Sequence, residues 1–204
     1  SSSILSHFKL KNIDFNIVKN WVPGVIFGSI IGSYIASQIN GEFLIIIFVT
    51  LLFLIFLNLF LQKKFILSKT LPKSYSLNFV ISFAISFFSV LMGIGGGSFS
   101  VPTLCSFSKP IHKAVGTSAT LGFFIAFPGV VTYSIAGYNV SGLPPYSLGY
   151  ANLIIILLVS STSVFTANIG AKFSSKTKTS TLQKIFAVFL FCTCISLVIE
   201  HFIL

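Results

Sequence analysis

The 204-residue chain is 54% apolar, contains 24 phenylalanines and only 8% charged residues, and has a mean hydropathy of +0.98; soluble domains carry roughly 25% charge. Several stretches reach the ~20 apolar residues that a ~30 Å hydrocarbon core demands of a helix. The composition therefore predicts an all-α, polytopic membrane helical bundle and excludes a soluble domain on a single anchor. The formal charge of +10 comes from thirteen basic residues, all of them Lys. They lie in short loops between apolar stretches, where membrane topology accounts for them, so nucleic acid is not an expected partner. Cys105, Cys192 and Cys194 are too few for a disulfide framework, and Cys-x-Cys without a nearby carboxylate or His is a poor metal site. No metal and no cofactor is expected.

The chain opens Ser1-Ser2-Ser3 with neither Met nor a basic leader, so it reads as a fragment. Six apolar segments follow: A, from Ile17 to Gln38; B, from Phe43 to Gln62; C, from Leu77 to Phe107; D, from Ala114 to Gly137; E, from Tyr150 to Lys172; and F, from Leu182 to Leu204. Trp21, near Lys19 and Asn20, fits an interfacial anchor. Segment C stands apart, because its ~31 residues would span ~46 Å as one helix, too long for one crossing and too short for two. Broken at Gly93–Gly97, it forms a re-entrant pair of shorter helices; a tilted span followed by a surface helix is the alternative. Lysines occur before A, between B and C, between C and D, and between E and F, but not between A and B or between D and E. If C returns to its starting side, every Lys-rich loop is cytoplasmic. Pro128 with Gly129 is expected to kink D. The loop from Gly142 to Tyr150 is expected to be a rigid external entry to E, and Asn152 is expected to be a polar tie inside E.

Gly28-x-x-x-Gly32-Ser33 with Ala36-Ser37 in A parallels Thr166-x-x-x-Gly170-Ala171 with Ser174-Ser175 in E, each followed by a loop and a second apolar span. Because A and E enter from opposite sides in the lysine assignment, the copies are inverted, a common plan of secondary transporters. Residues 1–76 are then the remainder of a first repeat plus a cytoplasmic linker, with Ser1–Asn12 the tail of a segment matching D. Residues 77–204 form the second repeat.

Chemistry is sought at Met92-Gly-Ile-Gly-Gly-Gly-Ser-Phe-Ser-Val-Pro102 and at His112-Lys-Ala-Val-Gly-Thr-Ser118. A Walker loop would need a following Lys-Ser/Thr, and a dinucleotide loop a preceding strand; neither is present. Glycines at Gly93, Gly95, Gly96 and Gly97 let the backbone turn and expose N–H groups, with Ser98 as cap of the following half-helix and Pro102 in its first turn. A helix N-terminus attracts anions through its dipole and free donors. The candidate binding residues are therefore Gly95, Gly96, Gly97 and Ser98, with the hydroxyls of Thr117 and Ser118. The opposing structural reading is that the glycines serve close helix packing and that the hydroxyls bond to their own helix. His112 is expected at a helix start facing the interface. The only acids are Asp14, Glu42 and Glu200, each near a segment end. An anion site has no use for carboxylates, and buried enzymes or proton pumps usually display them at depth; a membrane-embedded enzyme is disfavoured.

These motifs, together with the Leu143-Pro144-Pro145 to Gly149-Tyr150 stretch, resemble the second half of the sulfite exporter TauE/SafE family of membrane permeases. The resemblance implies a multi-pass protein of the bacterial cytoplasmic (inner) membrane that moves small sulfur-containing anions such as sulfite or organosulfonates, usually outward. It also implies a first glycine-rich motif, which does not occur in this chain; the spacing fits a member lacking its first segments. The expected partners are a small anionic solute and the lipid bilayer, with the oligomeric state open. The alternative function is a non-transporting membrane subunit or assembly factor of a larger complex.

Overall fold

A computed structural model describes residues 12–60, 70–91, 93, 95–176 and 179–202. Their helices are α1 (Phe15–Gln38), α2 (Gly41–Phe60), α3 (Tyr75–Leu91), α4 (Gly97–Ser106), α5 (Ile111–Ala136), α6 (Leu153–Lys176) and α7 (Thr179–Phe202). Three helices start on a side chain that accepts an otherwise unpaired first-turn N–H. Asp14 Oδ1 accepts from Ile17 at 3.3 Å, Asn40 Oδ1 from Glu42 at 3.4 Å, and Asn152 Oδ1 from Ile155 at 3.1 Å. Asn152 is thus the cap of α6 rather than a tie within it.

The chain divides into two compact units, the first comprising residues 1–38 and 66–168, the second 39–65 and 169–204. In the first, α1 lies along α3 through Gly24, Gly28 and Gly32. A Cβ at these positions would run into Ser82 and the Phe79 carbonyl, Ser86 and the Phe83 carbonyl, and Val90 and the Phe87 carbonyl, respectively. Glycines four residues apart make a groove into which the neighbouring backbone settles, the usual device where dispersion rather than water expulsion holds helices together. The contacts advance in the same order on both helices, so α1 and α3 are parallel.

Helix α5 is parallel to α1 as well. The Asn12 carbonyl lies against Gly116, the Asp14 N–H donates to Thr117 Oγ1 at 3.0 Å, and further along Ser29 Oγ donates to the Ile125 carbonyl at 2.6 Å. Helix α4 runs the other way: residues 107–110 join it to α5, while its far end sets Gly96 against Gly122 and Ile125. The chain therefore advances along α3, reverses at the glycines, returns along α4 and advances again along α5. Gly122 is about 11 residues into α5, so the reversal lies ~17 Å along that helix, close to the middle of its 26 residues. Ile17, Trp21, Val25, Ile85, Val90, Leu104, Ala114, Leu121 and Ile125 form the core between these helices.

Trp21 is fully buried, and its Nε1–H donates to Asn78 Oδ1 at 2.9 Å; it is a core residue, not the expected interfacial anchor. Asn78 completes its own amide donors on the Pro72 and Ser74 carbonyls, which lets an indole N–H be buried without loss. Helix α5 continues through Pro128, although the missing N–H removes the bond to the Phe124 carbonyl.

After α5 the chain departs from the all-helical expectation in one small element. Ser147 pairs with Asn152 and Leu148 with Ala151 in an antiparallel two-stranded ribbon, β1 and β2. Gly149 has φ +58°, and a side chain there would collide with the Ser134 carbonyl, so the ribbon sits directly on the end of α5. Helix α6 accordingly starts beside the C-terminal end of α5, whereas α1 starts beside its N-terminal end.

In the second unit α2 packs on α7. Leu52, Ala187, Leu190 and Cys194 are buried, and the rings of Phe56 and Phe191 lie 5.0 Å apart. Cys192 is exposed.

The outward helix faces are apolar: Phe127, Leu157, Leu158 and Phe189 are all exposed, a surface suited to lipid rather than water. Among the described residues His112–Ala136 is long and apolar enough to cross a membrane, and Gly41–Leu54, Tyr75–Leu91, Leu153–Val164 and Ala187–Ile199 are shorter apolar helical stretches. The tail Ser1–Asn12 expected to match D lies, apart from Asn12, outside the described residues, as do Met92 and Ile94.

Candidate functional site

The glycine run makes its turn through two left-handed residues, Gly93 at φ +62° and Gly95 at φ +74°. Side chains other than glycine pay ~1–2 kcal/mol in that region, which is why these positions carry none. Gly96 is helical (φ −67°, ψ −19°) and serves as the cap of α4, and no side chain closes that end. The helix starts at Gly97, so Ser98 lies within its first turn and does not cap it, contrary to expectation. Pro102 falls in the second turn, not the first, and leaves the Ser98 carbonyl without its helical donor.

The six candidate residues separate into three environments. Gly96 is buried against α5, Gly95 and Ser98 are half-buried, and Gly97 is exposed with open space where a side chain would be. Thr117 is fully buried and its oxygen accepts the Asp14 N–H, so it faces the start of α1. Ser118 is 1% exposed and its hydroxyl has no hydrogen-bond partner. The glycine turn and Ser118 come within about one helical turn of each other, because Gly122 meets Gly96 and lies one turn from Ser118. Thr117 points elsewhere. His112 is exposed near the start of α5, as expected.

Ser100 was not singled out from the sequence, yet it shares the condition of Ser118. Its hydroxyl is buried and unpartnered, and so is that of Ser89 near the end of α3. An unmet buried hydroxyl costs ~1–3 kcal/mol. Most helical hydroxyls among the described residues avoid that cost by donating to a carbonyl three or four residues back: Ser33, Thr103, Ser106 and Thr120 all do so. No sequence pattern distinguishes Ser100 from Ser98; Gly96 sets one face of α4 against α5, and Ser100, one turn on, lies on that face while Ser98 is half-buried.

A second polar cluster closes the end of the bundle where α1 and α5 start. Asp14 Oδ2 accepts from Lys109 Nζ at 3.1 Å and, with Asn16, Asn20, Trp21 and Asn78, lines a cleft of about 180 Å³. Burial pushes the Asp14 carboxyl up, but the Lys109 bond, the Ile17 N–H and the charges of Lys109 and Lys113 together hold it below its ordinary 3.8. The ion pair ties the start of α1 to the α4–α5 connection. Asp14 therefore has a structural partner, a role that its position before segment A did not reveal.

Apolar helices that reverse at a glycine turn, with unmet hydroxyls in their interior, make an α-helical arrangement suited to a membrane. The model of the family "Sulfite exporter TauE/SafE" matches residues 1–197, and the chain belongs to that family. It is 38% identical over 108 residues to a protein of Haemophilus influenzae named "Probable membrane transporter protein", a match covering 53% of this chain and 41% of the relative. It is also 30% identical over 90 residues to a "Probable membrane transporter protein" of Methanocaldococcus jannaschii, covering 44% of this chain and 33% of that relative. The matches thus span less than half the length of these curated relatives. No solved structure matches the chain.

Proposed function

We propose that this chain forms part of a secondary carrier that exports a small anion, sulfite or an organosulfonate, across the bacterial inner membrane. The observation that carries the reading is the reversal of the chain at Gly93–Gly96, about midway along α5, which leaves the first-turn N–H groups of α4 without a side-chain cap. In lipid such a reversal is tolerated only where protein buries it or a cavity faces it, and broken helices of this kind hold solutes in transporters. The α3–α4 pair is then a re-entrant hairpin that enters and leaves on the cytoplasmic side. The Gly95–Ser98 amides face the anion with the Ser118 hydroxyl, and Thr117, one position before Ser118, holds α5 to the start of α1.

Two features support an inverted repeat with halves 1–76 and 77–204. Helices α1 and α6, which carry the matching small-residue motifs, start at opposite ends of α5. Helices α2 and α7, which follow those motifs, pack on each other. No proton relay is required, since an inside-negative potential drives a monoanion outward with roughly 2.3 kcal/mol per 100 mV.

The test is flux of labelled sulfite and of a panel of sulfonates in vesicles bearing the protein, compared with Gly96→Val. A side chain at Gly96 would meet Ile125 Cδ1 at 2.8 Å and the Gly122 backbone at 3.2 Å, so the variant should insert normally and lose transport. Unchanged flux in Gly96→Val removes the glycine turn from the mechanism. Stable copurification with a second protein and no flux for any sulfur anion would instead identify an assembly subunit.

A further inference from the structure

Helices α4 and α5 form an antiparallel hairpin whose register is fixed at both ends: Gly96 lies against Gly122, and residues 107–110 make the connection. One turn from the Gly96–Gly122 contact toward that connection brings Ser100 on α4 level with Ser118 on α5. One turn further brings Leu104 level with Ala114, and these two are fully buried members of the same core. The two serines therefore occupy one level of one interface. Ser100 is 0% and Ser118 1% exposed, and neither hydroxyl has a hydrogen-bond partner. Neighbours on the same helices do not share this condition, since Thr103 donates to the Phe99 carbonyl and Thr120 to the Gly116 carbonyl.

We infer that Ser100 and Ser118 are a paired-hydroxyl subsite for an oxyanion with at least two terminal oxygens, of the sulfonate type. A buried hydroxyl that forgoes its own helix is left with an O–H to give, and two at one level can donate to two oxygens of the same group. Donors aimed at an anion in a dry interface make the stronger, charge-assisted kind of hydrogen bond. The pair lies one turn from the uncapped start of α4, whose dipole favours the same charge. Both serines are buried between the helices, so loading the pair requires α4 to part from α5. This inference rests on the transport reading above for the solute's class, and it adds Ser100 as a specificity-determining residue.

The test is the melting midpoint of the purified protein with methanesulfonate, sulfite, acetate or chloride, alongside vesicle flux. The sulfur oxyanions should raise the midpoint, chloride should not, and a rise with acetate alone would reassign the subsite to carboxylates and overturn the stated class. Ser100→Ala and Ser118→Ala should each weaken apparent sulfonate binding roughly ten- to hundredfold, and without anion they should melt no lower than the unaltered protein because an unmet hydroxyl has gone. Ser118→Thr, which keeps the hydroxyl, should retain binding. Ser89→Ala, which removes the unmet hydroxyl on α3, should leave it unchanged. If both hairpin variants keep the anion-dependent rise, or if no oxyanion stabilises the unaltered protein, the pair is not a subsite. Flux that persists in both variants overturns the pair and leaves the transport reading standing. Absence of flux in the unaltered protein removes the transport reading, while the melting series still decides the pair.

Discussion

Gly28 shows how little room single residues have in this chain. The atoms facing it on α3 are the Phe83 carbonyl and Ser86, and backbone cannot rotate aside as a side chain can. Gly28→Val is therefore expected to destabilise the first unit by about 2–3 kcal/mol, the upper part of the overpacking range, read as a lower melting midpoint in detergent; an unchanged midpoint would show that α1 and α3 do not meet there. Asp14 gives a prediction of opposite character. A carboxyl held below its ordinary 3.8 contributes stability that is complete above that value and is lost as pH falls through the lowered one. The melting difference between the unaltered protein and Asp14→Asn should accordingly be constant near neutral pH and shrink toward zero as pH falls below about 4. A difference that persists in acid would place the carboxyl outside the ion pair. The spacing of Gly28 and Gly32 was visible in the sequence, but as a repeat mark; that Gly24 extends it into a groove became evident only once the partner helix was known. Lys109 and Asp14 lie 95 residues apart, and no local pattern announces a contact of that separation.

Among the elements, the glycine turn was the most legible. Segment C was too long for one crossing and too short for two, and the break falls where Gly93 and Gly95 permit it. What the sequence could not supply was the face of α4 that packs on α5: Gly96 meets Gly122, and Ser100, one turn on, shares that face. The sequence therefore suggests Ser98 as a cap and gives no sign of Ser100. Trp21 was misplaced for a related reason, since a Trp beside Lys19 and Asn20 suggests an interface until Asn78, 57 positions on, supplies a partner for its N–H. The turn itself yields a paired prediction. Gly95→Ala, at φ +74°, should cost ~1–2 kcal/mol. Gly97→Ala, helical and facing open space, should gain roughly 0.5–1 kcal/mol. Equal effects on the melting midpoint would mean that the turn is not left-handed at Gly95.

For the whole molecule, composition alone gave the class: an apolar helical protein whose outward faces suit lipid. The two compact units each combine helices from both halves of the sequence, an interleaving that no linear division into 1–76 and 77–204 discloses. Family membership over residues 1–197 agrees with the resemblance carried by the glycine and Thr-Ser motifs, while the solute rests on chemistry: few acids, an uncapped helix start and unmet hydroxyls. The most direct test of the central claim is efflux of labelled sulfite or sulfonate from sealed vesicles bearing the protein, measured at zero potential and with a potassium-diffusion potential, negative inside. A potential-driven anion carrier predicts efflux that accelerates as the interior becomes more negative and is lost in Gly96→Val. Efflux indifferent to the potential and equal in vesicles without the protein would contradict it.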